Sequence, residues 1–191
     1  MEVEPIRDRQ KIDEMKKKLK ADNPRDEALF TMGINMALRI SDLLSLTVGD
    51  VMGADGLLME AVEMQDKKGN TRHFPLNQSV RSCLESYLFQ RRNLKSSDPL
   101  FPSQQGDGLA SISRWQARKI LHAAGKSIGL NRIGTNSLRK TFAYHVYKES
   151  GGDIGLVQKL LHQSCAESTL KYIGIGPDQV IKDINPLEVN L

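Results

Sequence analysis

The chain has 191 residues, 39% hydrophobic and 26% charged, with a formal net charge of +4, which fits one domain with its own core and points only weakly to a polyanionic partner. No apolar run approaches the ~20 residues that span a bilayer, and the opening MEVEPIRDRQ holds no apolar segment of a secretory signal. Two cysteines, Cys83 and Cys165, lie far apart and match no metal or redox spacing, so a reduced, cytoplasmic protein without membrane attachment is expected.

In chain order, residues 1–24 read as a charged lead-in helix that stops near Asn23-Pro24, because proline cannot continue it. From Arg25 the apolar spacing is helical: Leu29, Met32, Met36 and Ile40 fall on one face. Ser41 then reads as the N-cap of a short second helix with Asp42 in its first turn. Arg39 thus sits at a helix–helix corner. Residues 57–66 and 71–76 flank KKGN and predict a β-hairpin with Gly69-Asn70 in the turn.

Asn77 is placed to cap a helix that buries Val80, Leu84, Tyr87 and Leu88. SSDPLFPSQQGDG reads as loop. The next helix has Ala117, Ile120, Leu121, Ala124 and Ile128 as its buried stripe, and Trp115 reads as core. A further helix from Asn136 or Thr135 buries Leu138, Phe142 and Val146 and stops at Gly151-Gly152. Asp153 caps a helix that ends near His162, and a last short helix carries Tyr172. Residues 176–191 have a short apolar period too small to fold alone. The fold class expected is α+β: a mainly helical single domain with a small antiparallel sheet.

Several chemistries are excluded. The sequence has no P-loop, no G-x-G-x-x-G, no H-E-x-x-H and no C-x-x-C. The acidic residues mostly alternate with lysines as on a solvated face, and none pair as a two-metal site would require. Metal-free phosphodiester cleavage instead needs fixed cations where charge develops. Arginine suits this, with a permanently charged fork that binds two phosphate oxygens. A lysine on a hairpin can protonate a leaving 5′ oxygen. A tyrosine can form the covalent link, although its free pKa is about 10 and it needs help. The chain offers, in order, Arg39, Lys67 and Lys68, Asn136 with Arg139, His162 and Tyr172.

Those residues carry a resemblance. ALRISDLLSLTVGDV (Ala37–Val51) resembles the first arginine box of the tyrosine recombinases, the phage-integrase-like family. DKKGNTRHFPL (Asp66–Leu76) resembles their lysine hairpin. TNSLRKTFAYHVYKESGGD (Thr135–Asp153) resembles the second box, H-x-L-R-H-T-F-A, and VQKLLHQSCAESTLKYIGI (Val157–Ile175) the third, L-G-H-x-S, with its later tyrosine. Each box alone is weak; four in the family's order are specific.

The resemblance implies a catalytic domain over residues 25–175 that cuts and rejoins DNA at specific sites through a 3′-phosphotyrosine, without cofactor. Arg39 and Arg139 would clamp the phosphate, and His162 would hydrogen-bond it. Lys67, favoured over Lys68 by counting back along the strand, would protonate the 5′ oxygen. Tyr172 would attack, and Asp42 would orient Arg39. Lys68, Arg72, Arg114, Arg118 and Lys140 are candidate DNA contacts. The expected partners are double-stranded DNA and other protomers assembled on it, with the 176–191 tail docking on a neighbour. Full-length members of that family carry a further N-terminal DNA-clamping domain, which residues 1–24 are too few to replace, so the sequence reads either as an excised catalytic domain or as a short recombinase that works without that arm. Two departures stand out. Asn136 replaces the box's histidine, and an amide cannot carry a proton; Tyr172 follows His162 by ten residues, about one more than usual. They keep open a disarmed DNA-binding module of the same fold, and relaxation without site choice as in type IB topoisomerases also remains open.

Overall fold

The computed structural model describes residues 3–66, 69–104 and 108–176. Among them, eight helices surround one two-stranded antiparallel sheet, and no helix is long and apolar enough to cross a membrane. The α+β expectation holds. Helix α1 (Arg9–Asp22) is capped by Asp8, and α2 (Pro24–Gly33) by Asn23, whose side chain accepts from the Arg25 amide. Pro24 stops α1 and starts α2, since a first-turn position needs no N–H donor. Met15 and Leu19 of α1 are fully buried in the same core as α2.

The helix expected to run from Arg25 to Ile40 ends at Gly33 instead, so Met36 and Ile40 lie beyond it. Gly33 sits where α2 meets Leu138; an added Cβ would lie 2.5 Å from the leucine Cδ1. The Asn35 side-chain amide then donates to the Thr31 carbonyl at 2.8 Å, and Ala37 takes a left-handed φ of 54°. These local bonds override an apolar period that continues past the real end. Helix α3 (Ile40–Leu44) is capped by Arg39, two residues before the Ser41 cap expected.

The hairpin pairs β1 (Ala61–Gln65) with β2 (Thr71–Pro75), setting Val62 opposite Phe74 and Met64 opposite Arg72. Period-two alternation puts these four on one face; Val62 is fully buried. Helix α4 (Gln78–Phe89) carries the Asn77 cap and the four buried residues anticipated for it. Helix α5 (Arg114–Ser127) buries Ala117, Leu121 and Ala124, with Ile120 and Ile128 packed partly against the core. Trp115 is not core: it is 63% exposed, with Lys119 Nζ 3.8 Å from its ring centroid.

Helix α6 (Thr135–Glu149) is capped by Gly134 rather than by Thr135 or Asn136. Its fully buried face carries Leu138, Thr141, Ala143 and Tyr147, while Phe142 and Val146 are only partly covered. Asp153 caps α7 (Ile154–Leu161), as its spacing predicts, and α8 (Ala166–Ile173) follows. Burial divides into two clusters. A large one joins Ile6 and α1–α5 with the hairpin and Leu138; a small one joins Ala37, Ala143, Tyr147, Val157, Leu161, Ile173 and Ile175.

Candidate active site

A polar cleft of about 650 Å³ opens where the two clusters meet. It is walled by Leu38, Arg39 and Asp42, by Met64, Asp66, Arg72 and Phe74, and by Arg139 and His162. Three predicted site residues, far apart in sequence, therefore converge. Arg39 reaches the cleft from the turn that opens α3, where its backbone is extended and its side chain exposed. Arg139 lies in the second turn of α6, half-buried, and donates to the Leu161 carbonyl at 2.7 Å. That carbonyl belongs to the last residue of α7, one of the orphan acceptors every helix end leaves.

His162 follows directly. It takes φ 51° and ψ 52°, the left-handed residue that ends α7. Its own amide returns to Lys159 at 3.2 Å, and the Gln163 amide returns to the Gln158 carbonyl at 2.9 Å. This is the usual hydrogen-bond closure of a helix with a left-handed residue past its end. His162 is thus the cap that closes α7, and the same turn sets it on the wall of the cleft.

The cleft is a concentration of cations. Burial lowers the Arg139 pKa from its ordinary value; Arg39 and Arg72 lower it too, while Tyr172 and Asp42 oppose them. Partial desolvation, then Arg72, Arg139 and Arg39, hold the His162 imidazole below its usual range against the opposing pull of Asp66. His162 therefore stays neutral near pH 7, able to share a hydrogen bond but adding no charge. Three guanidiniums beside one cleft repel one another, only partly offset by Asp42 and Asp66, so the cleft is suited to an anion.

Asp42 does not pair with Arg39 as expected. It accepts from the Ser41 hydroxyl at 3.3 Å, and among the described residues it forms no ion pair with Arg39; its charge is felt across the cleft at Arg139. Arg72, expected as a candidate DNA contact, lines the cleft itself. It pairs with Asp66 at 2.9 Å across the hairpin end. The signal was present in the sequence: Arg72 and Phe74 are two apart on a strand and must share a face.

Tyr172 and Asn136 line a neighbouring cavity of about 420 Å³ with Val3, Arg118, Gly134 and Lys140. Tyr172 is half-buried in α8, and burial raises its phenol pKa, while Arg139 and then Arg39 pull it back down. The phenol thus feels the charges of both Arg139 and Arg39. Asn136 is exposed in the first turn of α6. Lys140 is buried, with its ammonium donating to the Val3 carbonyl at 2.9 Å and lying 5.3 Å from the Tyr172 ring centroid. It faces the nucleophile candidate, where a DNA contact was expected. Arg114 and Arg118 are exposed on α5 beside Trp115. Lys67 and Lys68 lie outside the described residues, as does the tail beyond Gly176.

Among the other aromatic and imidazole groups, Tyr87 is buried with its hydroxyl on the Leu100 carbonyl at 2.8 Å. Tyr147 is buried in the small cluster, and His145 Nε2 contacts the Ile6 carbonyl at 3.0 Å. His73 is exposed beside Glu63. Tyr144 is half-buried against the small cluster, 5.5 Å from the Arg7 guanidinium, and Tyr172 is the tyrosine whose phenol feels the charges of Arg139 and Arg39.

A mainly helical domain with one small antiparallel sheet, two arginines and a histidine on one cleft and a tyrosine on the next cavity, in this chain order, has the catalytic fold of the tyrosine recombinases. The chain belongs to the Phage integrase family, which it matches over residues 8–176. It is 42% identical over 176 residues to the probable integrase/recombinase YoeC of Bacillus subtilis, covering 92% of each chain. It is 30% identical over 166 residues to tyrosine recombinase XerC of Thermodesulfovibrio yellowstonii, covering 83% of this chain and 52% of that one. The chain thus spans about half the length of such Xer relatives and nearly all of YoeC. In solved structures the fold is shared with XerA recombinase, at a TM-score of 0.72 and 19% identity over 95% of this chain and 64% of that one. The catalytic domain of bacteriophage HP1 integrase aligns over 100% of this chain and 99% of that one, at 0.55 and 18%.

Proposed function

We propose that the chain breaks and rejoins double-stranded DNA at a specific site through a tyrosyl-phosphate intermediate. Arg39 and Arg139 bind the non-bridging oxygens of the scissile phosphate, and their charge stabilises the pentacoordinate transition state. Neutral His162 shares a hydrogen bond with the same phosphate. The Tyr172 hydroxyl gives its proton to water as its oxygen attacks phosphorus; the P–O5′ bond breaks, leaving a 3′-phosphotyrosine, and the departing 5′ oxygen takes a proton from Lys67. The phosphodiester energy stays in the covalent link, so rejoining needs no cofactor. Arg72 adds a third guanidinium at the phosphate, and Arg114, Arg118 and Lys68 extend the contact along the DNA backbone, each neutralised phosphate adding about one unit to the salt slope of binding. The reaction takes place in the cytoplasm, with several protomers on one DNA and residues 176–191 docking between them.

The convergence of Arg39, Arg139 and His162 on one cleft, with Tyr172 within reach of their charge, supports this reading most strongly. It is tested with a pool of nicked duplexes carrying a randomised core, which traps the covalent intermediate because the short 5′ product diffuses away. Strands attached to protein are recovered and sequenced. The expected result is an adduct enriched in one core sequence and absent from Tyr172→Phe. Adducts that persist in Tyr172→Phe would move the nucleophile elsewhere. Binding with no adduct would favour the disarmed DNA-binding module, and adducts with no sequence enrichment the relaxing enzyme.

A further inference from the structure

The nucleophile helix is held by a part of the chain outside the four boxes. Residues 3–7 run along α6 as an extended strap. Pro5 and Ile6 are buried. The Ile6 amide donates to the Thr141 hydroxyl at 2.9 Å, and the Ile6 carbonyl meets His145 Nε2 at 3.0 Å. Lys140 holds the Val3 carbonyl, and the Glu4 amide donates to the Arg132 carbonyl at 2.9 Å. Both backbone groups of Ile6 are thus taken by α6 side chains four residues apart, which lie on one helix face.

From this fixed strap Arg7 reaches the end of α8. Its guanidinium donates to the Gly174 carbonyl at 2.9 Å and lies 5.5 Å from the Tyr144 ring centroid. Gly174 is the left-handed residue that closes α8, at φ 72°, and a Cβ there would come 2.8 Å from the Arg7 nitrogen. A cation on the last carbonyls of a helix satisfies an orphan acceptor and opposes the negative end of the helix dipole. The arrangement mirrors α7, whose final carbonyl is taken by Arg139. Each of the two short helices that bear site residues is therefore fastened at its C-terminal end by an arginine from elsewhere.

We propose that Arg7 is a positioning residue for Tyr172: by tying Gly174 to the strap on α6, it sets the phenol relative to the arginine clamp on α6 and α3. The idea rests on Tyr172 as nucleophile for its functional consequence, but its structural half is tested without DNA. Hydrogen exchange is measured on the full chain and on Arg7→Ala, Arg7→Lys and Arg7→Gln. Arg7→Ala should speed amide exchange in α8 about tenfold while α4 is unchanged, and Arg7→Lys should restore protection. With the duplex recovered from the nicked pool at saturating concentration, Arg7→Ala should form the adduct about tenfold more slowly at unchanged DNA affinity, again with rescue by Arg7→Lys.

Unaltered α8 exchange overturns the proposal outright. Faster α8 exchange with an unaltered adduct rate overturns the link to catalysis. An adduct rate and DNA affinity that fall together make Arg7 a DNA contact or a general fold residue, and also overturn it. Should Arg7→Ala lose its cooperative melt, Arg7→Gln, which keeps a donor without the charge, decides by the same readouts. A wild type that forms no adduct while α8 responds to Arg7 sinks the nucleophile assignment and leaves the tether standing.

Discussion

The two sides of the cleft are built by different means. On one side, Arg39 and Arg72 project from α3 and the hairpin, which rest on the large cluster with fully buried Leu29, Phe30, Met32, Leu84 and Phe101. On the other, His162 and Tyr172 ride on α7 and α8, helices of eight residues each over the small cluster. Isolated helices that short do not form in water. Their order comes from end-fastening: Asp153 on the Leu156 amide, the left-handed turns at His162 and Gly174, Arg139 on Leu161 and Arg7 on Gly174. The first side is held by packing and the second by caps. The side carrying His162 and Tyr172 therefore rests on fewer buried side chains than the side carrying Arg39 and Arg72.

Truncating one leucine on each side is the largest test of this contrast. Leu29→Ala empties a fully buried site in the large cluster and should cost about 3–5 kcal/mol in urea unfolding. Leu161→Ala, 1% exposed in the small cluster, should cost about 2–3 kcal/mol, because a thin cluster can collapse into the gap. The functional order should be reversed. Leu161→Ala displaces the carbonyl that holds Arg139 and should slow adduct formation per folded molecule by tenfold or more, on the order of 1.4 kcal/mol. Leu29→Ala should leave that rate within about twofold, about 0.4 kcal/mol. Equal losses of rate in the two variants would break the division.

A pH profile sharpens it further. His162 is held below the usual imidazole value of about 6.5 by partial desolvation and by Arg72, Arg139 and Arg39. A lowered pKa means the neutral form persists to lower pH, so the acid limb of single-turnover cleavage should fall below pH 6.5. Arg72→Gln removes the first of those cations, which favours protonation. The limb should then move up toward 6.5, while the rate plateau also drops. A limb that stays in place would separate His162 from the hairpin side of the cleft.

The boxes made the cleft legible because each falls on a local signal: an arginine at a helix start, a strand alternation, a capped helix, a helix end. What could not be read were consequences of contacts between elements. The end of α2 at Gly33 depends on Leu138, more than a hundred residues away, so the apolar period ran on past it. Trp115 looked like core because it is large and apolar, yet it stands at the first turn of α5, where the buried stripe begins only at Ala117. Asp42 was expected to serve its sequence neighbour Arg39 and instead acts across the cleft. Lys140 sits next to a clamp arginine in a basic box, and only the strap at Val3 reveals that it turns toward Tyr172. Arg7 lies outside every motif and became visible only through Gly174.

The smallest effect separates cap from catalyst at a single residue. His162 is exposed and left-handed, so replacing it with glycine removes no buried surface. A residue with a Cβ in that conformation is strained by about 1–2 kcal/mol, while glycine's extra freedom in the unfolded chain costs about 0.4–1 kcal/mol. His162→Gly should therefore raise stability by about 0.5–1 kcal/mol, read as a higher urea midpoint at constant slope. The same variant should form the adduct at least tenfold more slowly, because the phosphate loses its neutral hydrogen-bond partner. A residue kept only to close α7 would give greater stability at full activity. Greater stability with impaired cleavage would mark a strained turn retained for the imidazole it presents, the trade expected where a functional group occupies a position that local geometry would give to glycine.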